Sequence, residues 1–275
     1  MTDDSLVSWR KALDPLPQCL ERELPGRWSG FEFLPSVDST NRRLLDCQAL
    51  VSNAYRVCVA REQTAGKGRR GRTWISAGGS GLTFSIARAL PPGEPPAPAL
   101  ALAIGVGVSR GLSCCGLHGF GFKWPNDLVT AEGRKLAGIL IEARPRTGAR
   151  PPALVAGVGL NLRGAAALGV DRPTADLGDL SASGVPDMAD LLQAILAEIA
   201  RAWDAFARDG LHPVLEDYRR LDHLFGRRVR VTESGREGVA AGVDPVDGAL
   251  LLQGPDGLLE RLYSGDVSVR RVDHA

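Results

Sequence analysis

Apolar positions in this chain repeat with two different periods. Met188, Leu191, Leu192, Ile195, Leu196, Ile199, Trp203 and Phe206 step at intervals of three to four residues, which puts them on one face of a helix. Shorter stretches alternate or run apolar without a break and read as strands: 31–34, 55–60, 82–87, 120–124 with 128–129, 135–143 and 153–162. Further helices are predicted at 6–13, 40–50, about 98–112 and about 213–224. The 98–112 segment is apolar on most sides, so it is expected inside the core. Pro and Gly break the stretch before residue 30, and no second helix is predicted there. Residues 163–186, rich in Gly, Ala, Ser and Asp, read as a long loop and a candidate mobile segment.

After Gly226 the pattern shortens. Strands at 228–232, 239–243, 249–253, 258–263 and 267–272 alternate with turns at Gly235, Asp247-Gly248, Asp256-Gly257 and Gly265. Regular short strands with turn punctuation predict a small barrel. The expected organisation is a larger domain over 1–225 and a small one over 226–275. The fold class is α+β, a mixed central β-sheet with flanking helices plus a small C-terminal β-barrel.

Composition narrows the function classes. Of 275 residues, 44% are hydrophobic and 24% charged, which is ordinary for a globular protein. The net charge of +1 and 5% aromatic content weigh against nucleic acid as a partner, since such domains carry a broad basic face. Five Cys without a CxxC pair fit reduced thiols. The start MTDDSLVSWR is acidic and polar, unlike a signal peptide. The longest apolar run, 97–108, contains glycines and is shorter than the roughly 20 residues a membrane span needs. A cytoplasmic protein without a membrane partner is expected.

Against that near-neutral background one loop stands out. Gln63-Thr-Ala-Gly-Lys-Gly-Arg-Arg-Gly-Arg-Thr-Trp74 interleaves Lys67, Arg69, Arg70 and Arg72 with Gly66, Gly68 and Gly71. No Asp or Glu occurs from Thr64 to Gly93. Guanidinium forks match the paired oxygens of phosphate or carboxylate, and glycines let backbone approach a ligand. Gly66-x-Gly68-x-x-Gly71 spells the dinucleotide fingerprint, but no helix can open at Gly71 and no acid follows before Glu94. The phosphate-binding P-loop fails similarly, with Arg72 in place of Lys. Gly107-Val-Ser-Arg-Gly111 spells a nucleophile elbow, yet Ser109 falls in a helical run, so a helix serine is the reading. The four His show no ligand spacing.

Several weaker signals fall at strand ends. Lys123-Trp-Pro-Asn-Asp127 brings a cation, an amide and a carboxylate to a turn, which is also what an ordinary Asn-Asp turn looks like. Lys135 opens an apolar strand, either to point into a cleft or to keep an edge soluble. Gly157-Val-Gly159-Leu-Asn161 closes another strand, with glycines where something packs on the sheet. Ser39-Thr40-Asn41 either caps a helix or presents two hydroxyls and an amide to a polar ligand. Together they describe one cleft, suited to a nucleotide and a small polar acid.

These motifs, in this order, resemble the biotin protein ligases, from about Phe31 to the C-terminus. Arg134-Lys-Leu-Ala-Gly-Ile-Leu-Ile-Glu142 and the terminal Ser264-Gly-Asp-Val-Ser-Val-Arg270 belong to the same resemblance. It implies a catalytic domain like that of class II synthetases and an SH3-like C-terminal domain. It also implies a two-step reaction. The biotin carboxylate attacks the α-phosphate of ATP to give biotinyl-5′-AMP and pyrophosphate. A lysine of a biotin carboxyl carrier domain of an acyl-CoA carboxylase then displaces AMP.

By this resemblance Ser39, Thr40, Asn41 and Gln63 hold the ureido end of biotin, and Gly157 and Gly159 line its apolar pocket. Lys67, Gly68, Arg69 and Lys135 also belong to the biotin site, Arg69 and Lys135 as the catalytic pair between carboxylate and phosphate. The resemblance assigns Arg69, Arg72, Trp74, Lys123, Asn126, Asp127, Lys135 and Asn161 to ATP, with Trp74 on the adenine. Mg²⁺ arrives on the nucleotide, without a dedicated protein site. The basic loop is expected to be mobile when empty and to close over the adenylate.

Three features depart from the family pattern. Lys67 replaces the usual Arg, Thr174-Ala-Asp-Leu177 replaces a Thr-Ser-Leu, and an N-terminal DNA-binding domain is not expected, which makes the chain a monofunctional ligase. Oligomeric state is open between monomer and weak homodimer. The competing readings are a lipoate-type ligase, a nucleic-acid-binding regulator and a non-catalytic sensor.

Overall fold

The computed structural model describes residues 3–75, 79–91, 98–165, 173–181, 184–264 and 269–272. The continuous apolar strands take central places in a sheet, as burial on both faces requires. Seven strands form it: β1 (Trp28–Val37), β2 (Tyr55–Gln63), β3 (Gly81–Ala89), β4 (Phe120–Lys123), β5 (Asp127–Thr130), β6 (Lys135–Arg144) and β7 (Ala153–Asn161). Their spatial order is β1-β2-β3-β7-β6-β5-β4. The β1–β2 pair is parallel and the others antiparallel, so the sheet is mixed.

The helices are α1 (Asp3–Leu13), α2 (Leu16–Glu23), α3 (Thr40–Leu45), α4 (Leu100–Cys114), α5 (Met188–Asp209) and α6 (Leu215–Leu221). Helix α5 buries the face read from its periodicity, including Leu192, Ile195, Ile199 and Trp203. Each such side chain contributes about 1.5–3 kcal/mol on burial. Helix α4 crosses it closely. A Cβ on Gly107 would come 2.7 Å from the Ile199 Cα, and one on Gly111 2.5 Å from the Ile195 Cα. The elbow-like spelling is therefore a contact between two helix backbones. Ser109 sits mid-helix, buried, and donates to the Gly105 carbonyl at 2.8 Å.

Two helices differ from the sequence reading. Helix α2 was hidden by Pro17, which occupies the first turn, where a missing N–H costs nothing. Helix α3 ends at Leu45 and not near 50. The Arg144 guanidinium reaches its C-terminal end and donates to the carbonyls of Leu45 (2.6 Å) and Cys47 (2.7 Å). Within the 163–186 loop, residues 166–172 and 182–183 lie outside the described residues. Its described part includes a 3₁₀ turn, Leu177–Asp179, with a capping box between Asp176 and Asp179.

Strands β8 (Arg228–Val231), β9 (Glu237–Val243), β10 (Leu250–Gln253), β11 (Leu259–Leu262) and β12 (Val269–Arg271) form a separate antiparallel sheet, ordered β11-β10-β9-β8-β12. Residues 265–268 of the terminal motif lie outside the described residues. The two sheets touch where the Trp124 indole donates to the Gly248 carbonyl at 3.0 Å. No described helix is long and apolar enough to cross a membrane.

Candidate functional site

A cleft of about 890 Å³ opens at one end of the large sheet, between the basic loop, β6, β7 and the C-terminal sheet. At one extremity stands the start of α3. Ser39 is its N-cap, and its hydroxyl accepts from the Arg42 N–H at 3.5 Å. Ser39, Thr40 and Asn41 are all buried. The cap thus presents polar groups inward from a helix only six residues long.

These groups form a connected network. Gln63 Oε1 accepts from the Thr40 backbone N–H (2.8 Å) and hydroxyl (3.1 Å). Ser85 Oγ on β3 lies 2.7 Å from Thr40 Oγ1 and 2.6 Å from Asn41 Oδ1. Asn41 Nδ2 donates to Glu142 Oε2 (2.7 Å) and to the Leu140 carbonyl (3.2 Å) on β6. A Cβ at Gly157 would lie 2.3 Å from Asn41 Oδ1, so glycine is what lets the amide lie on the sheet. Two hydroxyl protons, those of Ser85 and Thr40, serve the three contacts along Asn41–Ser85–Thr40–Gln63.

The other extremity is charged. Lys135 opens β6, is buried, and pairs with Asp127 at the start of β5. Its ammonium stands 5.7 Å from the Trp74 ring centroid. The backbone of Lys135 is held on both sides: its N–H donates to the Pro173 carbonyl and its carbonyl accepts from Ala175, each at 2.9 Å. Asn161 Nδ2 donates to the carbonyls of Lys135 (3.2 Å) and Ala175 (2.9 Å). The strand-edge role considered for Lys135 is replaced by a buried cation aimed into the cleft.

Arg69 crosses from the loop to donate to Asn126 Oδ1 at 3.2 Å. Asn126 is itself fixed, because its amide donates to the Ile139 carbonyl at 2.8 Å. The preceding Trp124–Pro125 peptide is cis. Burial, aided by Arg70 and Arg72, lowers the Arg69 pKa, while Asp127 and Glu233 oppose that shift. A guanidinium stays charged regardless.

The loop is folded as a narrow hairpin. Lys67 bridges Thr73, the Gly68 N–H donates to Arg72 (2.7 Å), and the Trp74 N–H donates to Gly66 (2.9 Å). One 3₁₀ turn, Arg69–Gly71, forms its tip. Trp74 lies against the sheet. A Cβ at Gly159 would meet its indole at 2.2 Å, and one at Gly138 at 3.4 Å. The indole Nε1 is buried without a hydrogen-bond partner.

The cleft therefore gathers Ser39, Thr40, Asn41, Gln63, Lys67, Gly68, Arg69, Arg72, Trp74, Lys123, Asn126, Asp127, Lys135, Gly157 and Gly159. Asn161 is placed differently, behind the cleft, where it buttresses Lys135. Gly157 and Gly159 face Asn41 and Trp74. The sequence reading missed Ser85 and Glu142, although Glu142, an acid near the end of an apolar strand, was a usable signal. It gave no role to Thr174-Ala-Asp-Leu177, whose first residues flank Lys135. It also missed His223 and Thr232, which line the cleft from the second half of the chain.

Known proteins resemble this chain in sequence and fold. The model of the biotin/lipoate A/B protein ligase family covers residues 33–161, and that of the biotin protein ligase C-terminal domain covers 224–270. The chain is 33% identical over 267 residues to the bifunctional ligase/repressor BirA of Escherichia coli K12, spanning 94% of this chain and 81% of that protein. It is 33% identical over 235 residues to the biotin–[acetyl-CoA-carboxylase] ligase of Paracoccus denitrificans, covering 82% and 94%. The structure of the Aquifex aeolicus biotin protein ligase in complex with biotin and ATP superimposes with a TM-score of 0.74 at 26% identity, covering 89% of this chain and all of that one.

Proposed function

The chain belongs to the biotin/lipoate A/B protein ligase family, and we propose that its cleft joins biotin to ATP and then passes biotin to a carrier-domain lysine. It is an ATP-dependent biotin–protein ligase of the biotin–[acetyl-CoA-carboxylase] type. The partner is a biotin-carrying domain of a carboxylase. The observation that carries the assignment of roles is the division of one cleft into a neutral, hydrogen-bonding end and a cationic end.

Biotin has the same division, a neutral ureido ring and a carboxylate. The Thr40, Asn41, Ser85 and Gln63 network supplies donors and acceptors to the ring. The carboxylate then lies toward Lys135 and Arg69. Carboxylate and triphosphate repel each other, and these cations lower that cost as one carboxylate oxygen forms a bond to the α-phosphorus and pyrophosphate leaves. Fixing both reactants in one cleft supplies much of the remaining acceleration. Arg72 and Lys123 bind phosphate oxygens, and Trp74 swings from Gly159 onto the adenine, which gives its unpaired Nε1 access to a partner. Mg²⁺ carried in by the nucleotide would neutralise part of the phosphate charge. Among the described residues there is no group of three or more His, Cys, Asp or Glu that could hold a metal.

In the second step the carrier amine attacks the acyl carbon of the adenylate, AMP leaves with the bonding electron pair, and a proton leaves the nitrogen. Asp127 is the carboxylate placed to orient that amine. The test uses the whole chain with Mg-ATP, labelled biotin or lipoate, and an apo carrier domain. Covalent biotin on the carrier is expected. Transfer of lipoate alone, or no label at all, would overturn the reading.

A further inference from the structure

Among the described residues, an ion pair joins the basic loop to the C-terminal sheet. Arg70 Nη1 donates to Oε1 of Glu233, which lies in the turn between β8 and β9. The partners are 163 residues apart in sequence. Thr232, beside Glu233, lines the cleft, as does Val269 of β12. The loop has no acid of its own between Thr64 and Gly93, so its counter-charge must come from elsewhere.

The backbone at this point is unusual. Arg70 has φ of 57°, and among the described residues it alone is a non-glycine with positive φ. A side chain with a Cβ is disfavoured there, and such conformations persist where surroundings enforce them. The turn sends successive side chains to different places: Arg69 to Asn126 on the cleft floor, Arg70 to Glu233 on the second sheet.

We propose that Glu233 is a positioning residue, latching the cationic loop to the C-terminal sheet and thereby holding Arg69 over the reacting groups. The latch rests on the ligase reading for its consequence in catalysis, but its existence is a property of the loop. With the latch released, the loop opens more often, ATP binds more weakly, and the adenylate escapes sooner. The chemistry within each closed complex is unchanged.

Glu233→Gln, Arg70→Gln and the double variant test this. Amide hydrogen exchange at residues 66–74 is measured without substrate, followed by KM for ATP, kcat of adenylate formation and release of labelled biotinyl-adenylate. Each single variant is expected to speed exchange at Gly68, Arg72 and Trp74 about two- to fivefold, the range of a partly exposed ion pair. The double variant is expected to match the singles, because one interaction is lost only once. KM for ATP and adenylate release rise by a similar factor, and kcat falls less. Glu233→Asp is expected to restore part of the protection. Unchanged loop exchange in all variants, or additive effects in the double, would overturn the latch. Faster loop exchange in a protein that makes no adenylate would instead remove the ligase reading and leave the latch standing.

Discussion

At the α3 end of the cleft, Ser39, Thr40 and Asn41 are buried and bonded to β2, β3 and β6. At the loop end, Lys67, Arg70 and Arg72 are exposed, and the loop's anchor to the C-terminal sheet is an ion pair whose partners are about one-third exposed. The two ends are suited to different chemistry. A neutral ring is recognised by fixed donors and acceptors, and a buried network is stable only if nearly every group is paired. Phosphates and carboxylates are held by cations, which pay less desolvation if they remain near solvent until the ligand arrives. On the proposed function, one end is built before biotin binds, and the other is completed by its anionic ligands.

The sharpest break of this contrast is at its junction. Lys135→Ala is expected to lower the rate of adenylate formation by roughly 100-fold or more, the scale of losing a charge-stabilising group. Single-turnover formation of biotinyl-adenylate measures it. Removing Lys135 also takes an ion-pair partner from Asp127, so Lys135→Met with Asp127→Asn serves as the control. It takes away both charges, and its melting curve should lie nearer the unsubstituted protein than that of Lys135→Ala. A normal adenylation rate in Lys135→Ala would remove the residue from the reaction.

The prebuilt end should respond to shape. In Gly157→Ala the new methyl would meet Asn41 Oδ1 at 2.3 Å and displace the amide. Loss of that contact should raise KM for biotin by about 10-fold, the equivalent of roughly 1.4 kcal/mol. KM for ATP should change by less than about twofold. Equal changes in both would mean the two ends are not separable. A milder probe is Ser85→Ala, which removes one proton from the network. It is expected to raise KM for biotin about fivefold.

The smallest effect concerns how the two halves of the chain are joined. Burial raises the Asp222 pKa, while its hydrogen bonds from the Leu224 and Phe225 N–H groups oppose the shift. A raised folded pKa favours the protonated form. Stability is therefore lost as pH rises from the ordinary carboxylate value through the folded one, and the penalty is constant above it. Asp222→Asn keeps an acceptor and removes the charge. It should raise stability at neutral pH by up to about 1 kcal/mol, with allowance for its partial exposure, and flatten the profile in that window. Thermal melts across pH 3–8 measure it.

Much of the central architecture was legible because burial writes itself into periodicity. The face of α5 and the apolar runs of β6 and β7 needed no structure to be found. The motifs of the large domain were legible because each clusters its chemistry within a few residues. Helix α2 was not, since Pro17 signals a break unless its place in the first turn is known. Ser85 was not, because a hydroxyl in an apolar strand acquires meaning only from Asn41 and Thr40 across the fold.

By itself the sequence determined that this chain carries an α+β core, a short-stranded C-terminal part and an acid-free cationic loop, because these follow from local pattern and composition. Only the tertiary structure decided which of the polar residues meet. It turned Asn161 from a cleft residue into the support of Lys135, set Glu142 against Asn41, and brought Glu233 to Arg70. Such pairings join residues 26 to 163 positions apart. Their geometry is fixed by sheet register and helix packing, which no stretch of sequence contains alone.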